Sequence, residues 1–455
     1  MAKVVIIGAG LTGLSAAYHL EQRGFTDYKL FEKESDVGGL CRSVYQDGFT
    51  FDYTGHLLHA SDDYFRELLG NVVGLNNFNS ITRRSYIYSH DTYTNYPYQV
   101  NLYGLPTEVI VECIEGYAQR PQSKKNPKNF YEWAHVNFGA GIAKHFFYPY
   151  QEKIFAYDIK QISTSWMGRF VPSTSLKQMI EGAIKAPADQ SIGYNANFYY
   201  PKFGGIQFWI EQLAHAVSQE IYTECTVTQV NVKEKYVEFA NGHREYYETL
   251  ITTMPLDILL KMTKDAPDTN LNKVADNLDC NSVINLNWGF TRPDISQKHW
   301  IYFPEEHYPF YRIGFPHNFA DNMAPQGCSS LYAEFAHVKK SPRYIQQKLQ
   351  ATKDQIKKLF KVTNQEIATE AVLNIQHAYV LYTPWREKNL AKLHKRLQEH
   401  DIHSVGRYGE WKYSSMQEAV LDGKKVAEHI TILPAQKTFY QNIPVQKKSG
   451  SKELQ

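Results

Sequence analysis

The chain has 455 residues and a mass of 52.6 kDa, about three times the size of a typical domain. Hydrophobic residues make up 43% of it, which is enough for substantial cores and excludes a disordered chain. The 49 basic and 47 acidic residues nearly cancel, so no excess of charge favours nucleic acid or a membrane surface as a partner. Aromatic residues reach 14%, with 33 tyrosines, and this excess suits an aromatic pocket as well as a core.

The cysteines and the N-terminal segment bear on the compartment. Five cysteines stand singly along the chain and form no CxxC pair, which favours reduced thiols over disulfides or a zinc site. Residues 4–17 are mostly apolar, but three glycines at fixed offsets indicate a strand, a turn and a helix rather than a secretory signal. No run of about 18 apolar residues occurs, so we expect no membrane-spanning helix. The sequence therefore predicts a cytoplasmic protein with no metal site and no membrane partner.

A dinucleotide-binding pattern opens the chain. The β-branched run at 4–7 predicts a buried strand, and the motif G-x-G-x-x-G at 8–13 leads into a helix. In this motif the first glycine permits a tight turn, the second lets the backbone approach a pyrophosphate, and the third permits close helix–strand packing. A second strand at 28–31 ends at Glu32, whose carboxylate is suited to accept hydrogen bonds from a ribose. The residues predicted to bind the dinucleotide are Gly8, Gly10, Thr12, Gly13 and Glu32. The alternative is a purely structural glycine turn.

The segment that follows indicates which dinucleotide is bound. Residues 32–43 carry the pattern E-K-x-x-x-x-G-G-L-x-x-S, which resembles flavoproteins of the amine oxidase and phytoene desaturase type. The resemblance implies FAD as the cofactor, with the turn at Gly38 and Gly39 lying against it. Lys33 and Leu40 belong to the same pattern and are predicted as further cofactor contacts.

The rest of the chain alternates between helix-rich and strand-rich stretches. Helices are predicted at 106–117, 129–153, 163–184 and 341–359, and strands at 226–232, 236–239, 249–253, 283–290 and 330–336. We therefore predict an α/β protein with a Rossmann-like FAD-binding domain, a helical insertion domain and a sheet-bearing substrate domain. The predicted boundaries are 1–82, 191–261 and 396–435 for the FAD-binding domain, 103–190 for the insertion, 83–102 and 262–395 for the substrate domain, and 440–455 for a disordered tail.

Several blocks, in order along residues 3–432, resemble UDP-galactopyranose mutases of the eukaryotic type. They lie at 51–56, 83–101, 129–150, 193–205, 300–312 and 406–413. The most distinctive is the aromatic block that ends at Arg312, because a guanidinium suits bidentate contact with a diphosphate and tyrosine hydroxyls can donate to phosphate oxygens. The alternatives are a surface salt bridge for Arg312, and core packing for the tyrosines and for His56.

The resemblance implies roles for individual residues. It places His56 and Arg312 at the catalytic centre and adds Gly55, Val227, Gly406 and Arg407 to the cofactor contacts. The implied substrate contacts are Tyr96, Tyr98, Gln99, Arg169, Asn195, Trp300, Tyr302, Arg312, Tyr379 and Tyr413.

Four places depart from the family pattern. The stretch from Ser414 to Glu418 lacks the N-Q-D-H-S run that ends the family's flavin block. Phe170 stands where the family has an arginine that grips the diphosphate, with Arg169 one place before it. Phe155 stands where the mutases carry tryptophan, and Gln151 where they carry asparagine. These departures leave the sugar and the nucleotide open.

The function implied by the resemblance is the interconversion of pyranose and furanose forms of a nucleotide sugar, UDP-galactopyranose or a close analogue. Reduced FAD would supply the nucleophile and NAD(P)H the electrons. A role in cell-surface glycan biosynthesis follows, and a homo-oligomer stays open. One alternative is an FAD-dependent oxidase or desaturase of the amine oxidase or protoporphyrinogen oxidase type, which would need an apolar channel and no Arg312. The other is a protein that binds FAD without turnover.

Overall fold

The computed structural model of the protein describes residues 2–121, 126–167, 171–186, 196–265 and 271–430. The predicted disordered tail at 440–455 lies outside these residues. Among the helices of the described part, none is both long and apolar enough to cross a bilayer.

Nineteen strands form within the described ranges. They are β1 (Ala2–Ile7), β2 (Tyr28–Phe31), β3 (Ser43–Gln46), β4 (Phe49–Asp52), β5 (Phe78–Thr82), β6 (Ser85–Ser89), β7 (Thr92–Asn95), β8 (Asn197–Pro201), β9 (Ile221–Tyr222), β10 (Val227–Asn231), β11 (Tyr236–Phe239), β12 (Arg244–Thr252), β13 (Thr263–Lys264), β14 (Ser282–Phe290), β15 (Trp300–Tyr302), β16 (Arg312–Gly314), β17 (Ser329–His337), β18 (Ile367–Ile375) and β19 (Ile402–Ser404).

The α-helices of the same ranges are α1 (Leu11–Gln22), α2 (Asp63–Val72), α3 (Thr107–Ala118), α4 (Phe130–Ile142), α5 (Tyr148–Phe155), α6 (Leu176–Ile184), α7 (Gln207–His215), α8 (Leu256–Met262), α9 (Leu271–Ala275), α10 (Pro342–Phe360), α11 (Pro384–Gln398), α12 (Gly406–Gly409) and α13 (Met416–His429). A π-helical turn, Ala143–Phe147, joins α4 to α5, and a 3₁₀ turn covers Tyr98–Val100.

The first sheet builds the Rossmann-like unit. Its eight strands include the run β13-β10-β11-β12-β1-β2-β9, and β19 pairs with β12. β1 lies parallel between β12 and β2, with Ile6 opposite Ile251 and Leu30. The apolar run of β1 is buried, as the sequence predicts for a central strand of a parallel sheet. α1 packs on β1 and against α13, where a Cβ at Gly423 would overlap the carbonyl oxygen of Thr12.

The second sheet brings polar side chains into the interior. Its seven strands run β18-β14-β17-β16-β15-β6-β7, and β17 is buried over its whole length. Leu331 and Ala333 of β17 pack in one apolar cluster with Ile356 of α10. Because side chains alternate along a strand, Tyr332 and Glu334 point away from α10 to the other face of the sheet.

Helices α3 to α6 occupy the segment between β7 and β8, and two predicted helices there are wrong in extent. The helix predicted at 129–153 is interrupted, since Gly139 takes a φ of +79° and the π-helical turn follows. The helix predicted at 163–184 begins only at Leu176, because Ser175 caps it and accepts a hydrogen bond from the Gln178 N–H at 3.2 Å. A glycine and a capping box are local signals that override apolar spacing.

The predicted α/β class, with a Rossmann-like unit, a helical segment and a second sheet, is confirmed. β13 joins the first sheet by pairing with β10, so that sheet reaches just past the predicted boundary at residue 261. The remaining domain boundaries stay a prediction.

Candidate cofactor and substrate site

The glycine-rich turn between β1 and α1 has the backbone that its motif requires. Gly8 takes a φ of +98°, and a Cβ at Gly13 would overlap the carbonyl oxygen of Gly8. Gly10 precedes α1, and no side chain of the described residues caps this helix. The N–H groups of its first turn are therefore available to an anion such as a pyrophosphate.

The second predicted turn lies against the first. The Gly38 N–H donates to the carbonyl oxygen of Ala9 at 2.9 Å. A Cβ on Gly39 would stand 3.4 Å from the Cα of Gly10, so the two backbones face each other without side chains between them. This arrangement forms a bare backbone cradle in which a cofactor can lie.

Glu32 stands beside this cradle at the end of β2. Its buried carboxylate accepts a backbone N–H of the glycine turn at 2.8 Å and the N–H of Glu34 at 3.0 Å. Each carboxylate oxygen keeps a lone pair for a ribose hydroxyl. Lys33 extends into solvent, with its side chain 68% exposed and its Nζ 3.2 Å from Glu34 Oε1. The other predicted contacts, Leu40 and Val227, belong to one apolar cluster.

Arg407 is brought to the cofactor turn by the glycine before it. Gly406 has a φ of +80°, and a Cβ there would lie 3.0 Å from the Cβ of Thr12. The Arg407 guanidinium donates to the carbonyl oxygens of Ser414 at 2.7 Å and Ala378 at 3.0 Å. Its Nε is buried and has no hydrogen-bond partner within the described ranges. The buried cation therefore keeps a donor for an anionic or polar group.

His56 lies close to two cations. Burial, together with the charges of Arg407 and Arg312, lowers the pKa of its imidazole to about 4, so the ring is neutral at physiological pH. Its Nδ1 is buried and finds no hydrogen-bond partner in the described part of the chain. At Gly55 a Cβ would overlap the hydroxyl oxygen of Tyr332, so glycine there provides space. The predicted FAD needs hydrogen-bonding atoms and room beside the backbone. His56 Nδ1 and Arg407 Nε offer the atoms, and the bare backbone cradle offers the room.

An aromatic cavity of about 140 Å³ lies beside Arg407, whose guanidinium carbon is 5.0 Å from the ring centre of Tyr413. Five of the predicted substrate residues line it: Tyr96, Gln99, Tyr302, Tyr379 and Tyr413. None of the described side chains that line the cavity carries a formal charge. Burial raises the pKa of Tyr379 to about 12, so its hydroxyl is a neutral donor at physiological pH.

The cavity has further aromatic walls that were not predicted as substrate contacts. The main ones are Phe146, Phe147, Tyr150, Trp166 and Tyr382. Phe146 and Phe147 come from the π-helical turn, which the apolar spacing of the sequence does not predict. Two of the departures from the family pattern, Gln151 and Phe155, also line the cavity, and Phe155 meets Trp166 edge to face at 5.6 Å. The aromatic run at 146–150 is the sequence signal that would have indicated this wall.

Arg312 is largely shielded from solvent, with 18% of its side chain exposed, and is paired with a buried acid, which excludes the alternative of a surface salt bridge. Its Nε and Nη2 each lie 2.9 Å from one oxygen of Glu334, and the Glu334 side chain is fully buried. Its Nη1 donates no hydrogen bond to any residue in the described ranges. Arg312 lies opposite Tyr302 in the pairing of β16 with β15, and Tyr302 lines the cavity, so Arg312 lies next to the cavity wall. Glu334 was not predicted, because a single acid inside an apolar strand pattern carries no motif.

Three described residues that were predicted as substrate contacts, Tyr98, Trp300 and Arg312, are not among the residues that line the cavity. Tyr98 is fully buried and its ring stacks on Phe146 at 5.1 Å, since the 3₁₀ turn directs it into the core. Trp300 is buried in a different apolar cluster, where its ring lies 6.0 Å from that of Phe198. The cavity therefore gives no support to a substrate contact by either ring. Arg169 and Asn195 lie outside the described residues.

Comparison with known proteins places the chain among flavoenzymes. A family model described as flavin containing amine oxidoreductase matches residues 11–431. The fold is similar to the crystal structure of reduced UDP-galactopyranose mutase, with a TM-score of 0.89, 27% identity and coverage of 94% of this chain and 95% of that one. Cyclohexylamine oxidase from Brevibacterium oxydans IH-35A has a TM-score of 0.66 at 14% identity, with 94% and 98% coverage, and shows the fold alone.

A curated relative matches over a shorter stretch. The 4,4'-diapophytoene desaturase of Staphylococcus aureus strain COL is 32% identical over 118 residues, which is 25% of this chain and 22% of the desaturase. The chain thus aligns with about a fifth of the length of that desaturase.

Proposed function

The chain belongs to the family of flavin containing amine oxidoreductases, and from this premise we propose that it is a mutase that interconverts pyranose and furanose forms of a nucleotide sugar. The proposed substrate is UDP-galactopyranose or a close analogue, FAD is the cofactor, and NAD(P)H is the proposed reductant. The similarity to reduced UDP-galactopyranose mutase, at 27% identity over 94% of the chain, supports this choice within the family. The cytoplasmic location and the role in cell-surface glycan biosynthesis belong to the same proposal.

The observation that carries the proposal is the pairing of the largely shielded Arg312 with the fully buried Glu334 beside a cavity lined by tyrosine side chains. Removing a guanidinium from water costs several kcal/mol unless charges and hydrogen bonds compensate. An oxidase or desaturase with an apolar substrate has no use for such a cation next to its cavity. An anionic substrate such as a nucleoside diphosphate does, since it can accept hydrogen bonds from the open Nη1.

Several residues of the site are suited to hold the diphosphate, each through a different contact. Glu334 engages Nε and Nη2 of Arg312 and so orients the plane of the guanidinium. Burial raises the pKa values of Tyr302 and Tyr379, so both hydroxyl groups stay protonated. Each can therefore donate a hydrogen bond to a phosphate oxygen. In a cavity with low dielectric these contacts are stronger than in water, and they keep a departing diphosphate close to the sugar for recapture.

The cofactor residues would hold FAD along the glycine cradle, with Glu32 at the ribose and Arg407 at a polar group. Bound and reduced, FAD supplies the nucleophile for the anomeric carbon of the sugar. His56 stays neutral because burial and two nearby cations lower its pKa to about 4, so it adds no third positive charge and offers Nδ1 as a hydrogen-bonding atom. The aromatic walls exclude water, which limits hydrolysis of the activated sugar.

The test is direct turnover. The FAD-bound protein, reduced with dithionite, is incubated with UDP-galactopyranose and a panel of other nucleotide sugars, and furanose product is followed by NMR. We expect furanose from at least one sugar, and none while the flavin stays oxidised. The Arg292→Lys variant is the control for substitutions of Arg312, because Arg292 forms a more exposed ion pair with Glu366. No furanose from any nucleotide sugar would refute the proposal.

A second candidate is an FAD-dependent oxidase or desaturase. The specific observation in its favour is the 32% identity to 4,4'-diapophytoene desaturase over a quarter of the chain. The two functions differ in redox balance, because an oxidase or desaturase consumes an electron acceptor in proportion to product and a mutase does not. Oxygen uptake or acceptor reduction with an amine, a porphyrinogen or a polyene, without furanose formation, would favour this candidate.

A further inference from the structure

Tyr332 sits at the junction between the second sheet and the loop that carries His56. In β17 it lies opposite Gly314 of β16, and two residues along the same ladder, on the same face of the sheet, Glu334 lies opposite Arg312. Its side chain is buried, with 3% exposed. The charge of Arg312 lowers the pKa of its phenol, although burial raises that pKa more. Tyr332 therefore lies within electrostatic reach of the Arg312–Glu334 pair.

The Tyr332 ring fills the space left by two glycines. A Cβ at Gly314 would overlap Cζ, Cε1 and the hydroxyl oxygen of the ring. A Cβ at Gly55 would overlap the hydroxyl oxygen, and its next nearest atom, Cζ, would lie at 2.9 Å. Neither glycine has a positive φ, so both positions lack a side chain for reasons of space and not of backbone conformation. The ring is wedged between strand β16 and the loop at Gly55.

This contact joins the two parts of the site that the proposed function requires. Gly55 directly precedes His56, whose pKa is lowered by burial and by the charges of Arg407 and Arg312. Gly314 is two residues from Arg312, on the same strand. A ring that touches both glycines sets how far the His56 loop stands from the Arg312–Glu334 pair, because close-packed interiors transmit sub-ångström shifts.

We propose that Tyr332 is a positioning residue that holds the Gly55–His56 loop in register with the Arg312–Glu334 pair, so that cofactor and diphosphate are aligned. The inference rests on the proposed function for its effect on turnover. Its effect on FAD binding does not depend on that function. Tyr332 acts through the loop and the strand that it separates, and takes no part in the chemistry.

The test is a pair of matched double variants, read by FAD affinity and by the visible absorption spectrum of the flavin. A methyl group at Gly55 overpacks the interior and should displace the loop that carries His56. Gly55→Ala is therefore expected to weaken FAD binding about tenfold, which corresponds to about 1.4 kcal/mol of binding free energy. Adding Tyr332→Phe removes the overlapping oxygen, and we expect most of that loss and the spectral change to be recovered. Gly314→Ala is the control, since its Cβ would still overlap two ring carbons and Tyr332→Phe should give no recovery.

The single variant Tyr332→Phe tests the positioning role of Tyr332 even if an alanine variant fails to fold. Tyr332→Phe keeps the ring and is expected to retain FAD, to shift the flavin spectrum, and to lower kcat more than it raises KM for the nucleotide sugar. Equal recovery in both double variants, no recovery at Gly55, or a Tyr332→Phe spectrum identical to that of the parent would overturn the proposal. If no nucleotide sugar is turned over, the proposed function fails, and the spectra and FAD affinities alone decide the role of Tyr332.

Discussion

Replacing Glu334 by glutamine removes the charge with which the largely shielded guanidinium of Arg312 is paired. The substitution keeps the shape of the side chain and one carbonyl oxygen, so the packing around it changes little. What is lost is the carboxylate that accepts from Nε and Nη2 at 2.9 Å each. The perturbation therefore isolates the electrostatic part of the pair.

The expected magnitude follows from burial. Glu334 is fully buried, and removing one partner of a buried ion pair costs about 3–5 kcal/mol because the other charge stays uncompensated. The loss should shrink when a nucleoside diphosphate is bound, since its phosphate oxygens can then pair with Arg312. The free energy of unfolding and the binding of a nucleoside diphosphate should therefore both depend on the charge of Arg312.

The assay is thermal unfolding of the FAD-bound protein, with and without excess UDP, followed by tryptophan fluorescence. Glu334→Gln should lower the unfolding midpoint markedly in the absence of UDP, and UDP should raise it more in the variant than in the parent. The matched control is Glu238→Gln, because Glu238 forms a more exposed ion pair with Arg244 on the first sheet, and the loss of that pair should leave the midpoint nearly unchanged. The reasoning is refuted if Glu334→Gln is as stable as the control, or if UDP binds the variant without reducing its deficit.

Three further predictions test other parts of the site and the core. Arg312→Ala should weaken UDP binding at least about tenfold by calorimetry while FAD stays bound, and unchanged affinity would place the diphosphate elsewhere. Gly8→Ala should abolish FAD retention because the new Cβ would overlap Thr253 Oγ1 at a φ of +98°, whereas a normal flavin-to-protein absorbance ratio would contradict this.

Burial raises the pKa of Asp52 from 3.8 to about 6, so between these two pH values the folded state holds a proton that the unfolded chain releases. The stability from protonated Asp52 is complete below about pH 4 and is lost as the pH rises through about 6, by roughly 3 kcal/mol. In urea unfolding of Asp52→Asn, the free energy of unfolding should not show this fall between about pH 4 and pH 6. An unchanged pH dependence would show that another group is responsible.

Local patterns in the sequence were sufficient for the cofactor half of the site. The glycines at 8–13, the acid at Glu32 and the turn at Gly38 are close along the chain, and the strand–turn–helix unit that joins them has few alternative geometries. The helices at 129–153 and 163–184 were predicted with the wrong extent, because the spacing of apolar residues does not reveal a glycine break or a cap inside a long apolar stretch.

The substrate half depends on contacts between residues far apart in the sequence. Arg312 was predicted from its aromatic block, but its partner Glu334 stands 22 positions later and becomes its partner only through the pairing of β16 with β17. Tyr98 and Trp300 have the residue type expected of a cavity wall, and their backbones direct them into the core instead.

The sequence by itself determined the α/β class, the nucleotide-binding turn and the excess of tyrosine, because periodicity, glycine spacing and composition are local properties of the chain. Only the tertiary structure decided which tyrosines face the cavity, that the cation beside it is paired with a buried carboxylate, and that Gly55 and Gly314 leave room for the ring of Tyr332. The physical reason is that burial, and with it pKa and the strength of a charge, depends on which surfaces the fold brings together.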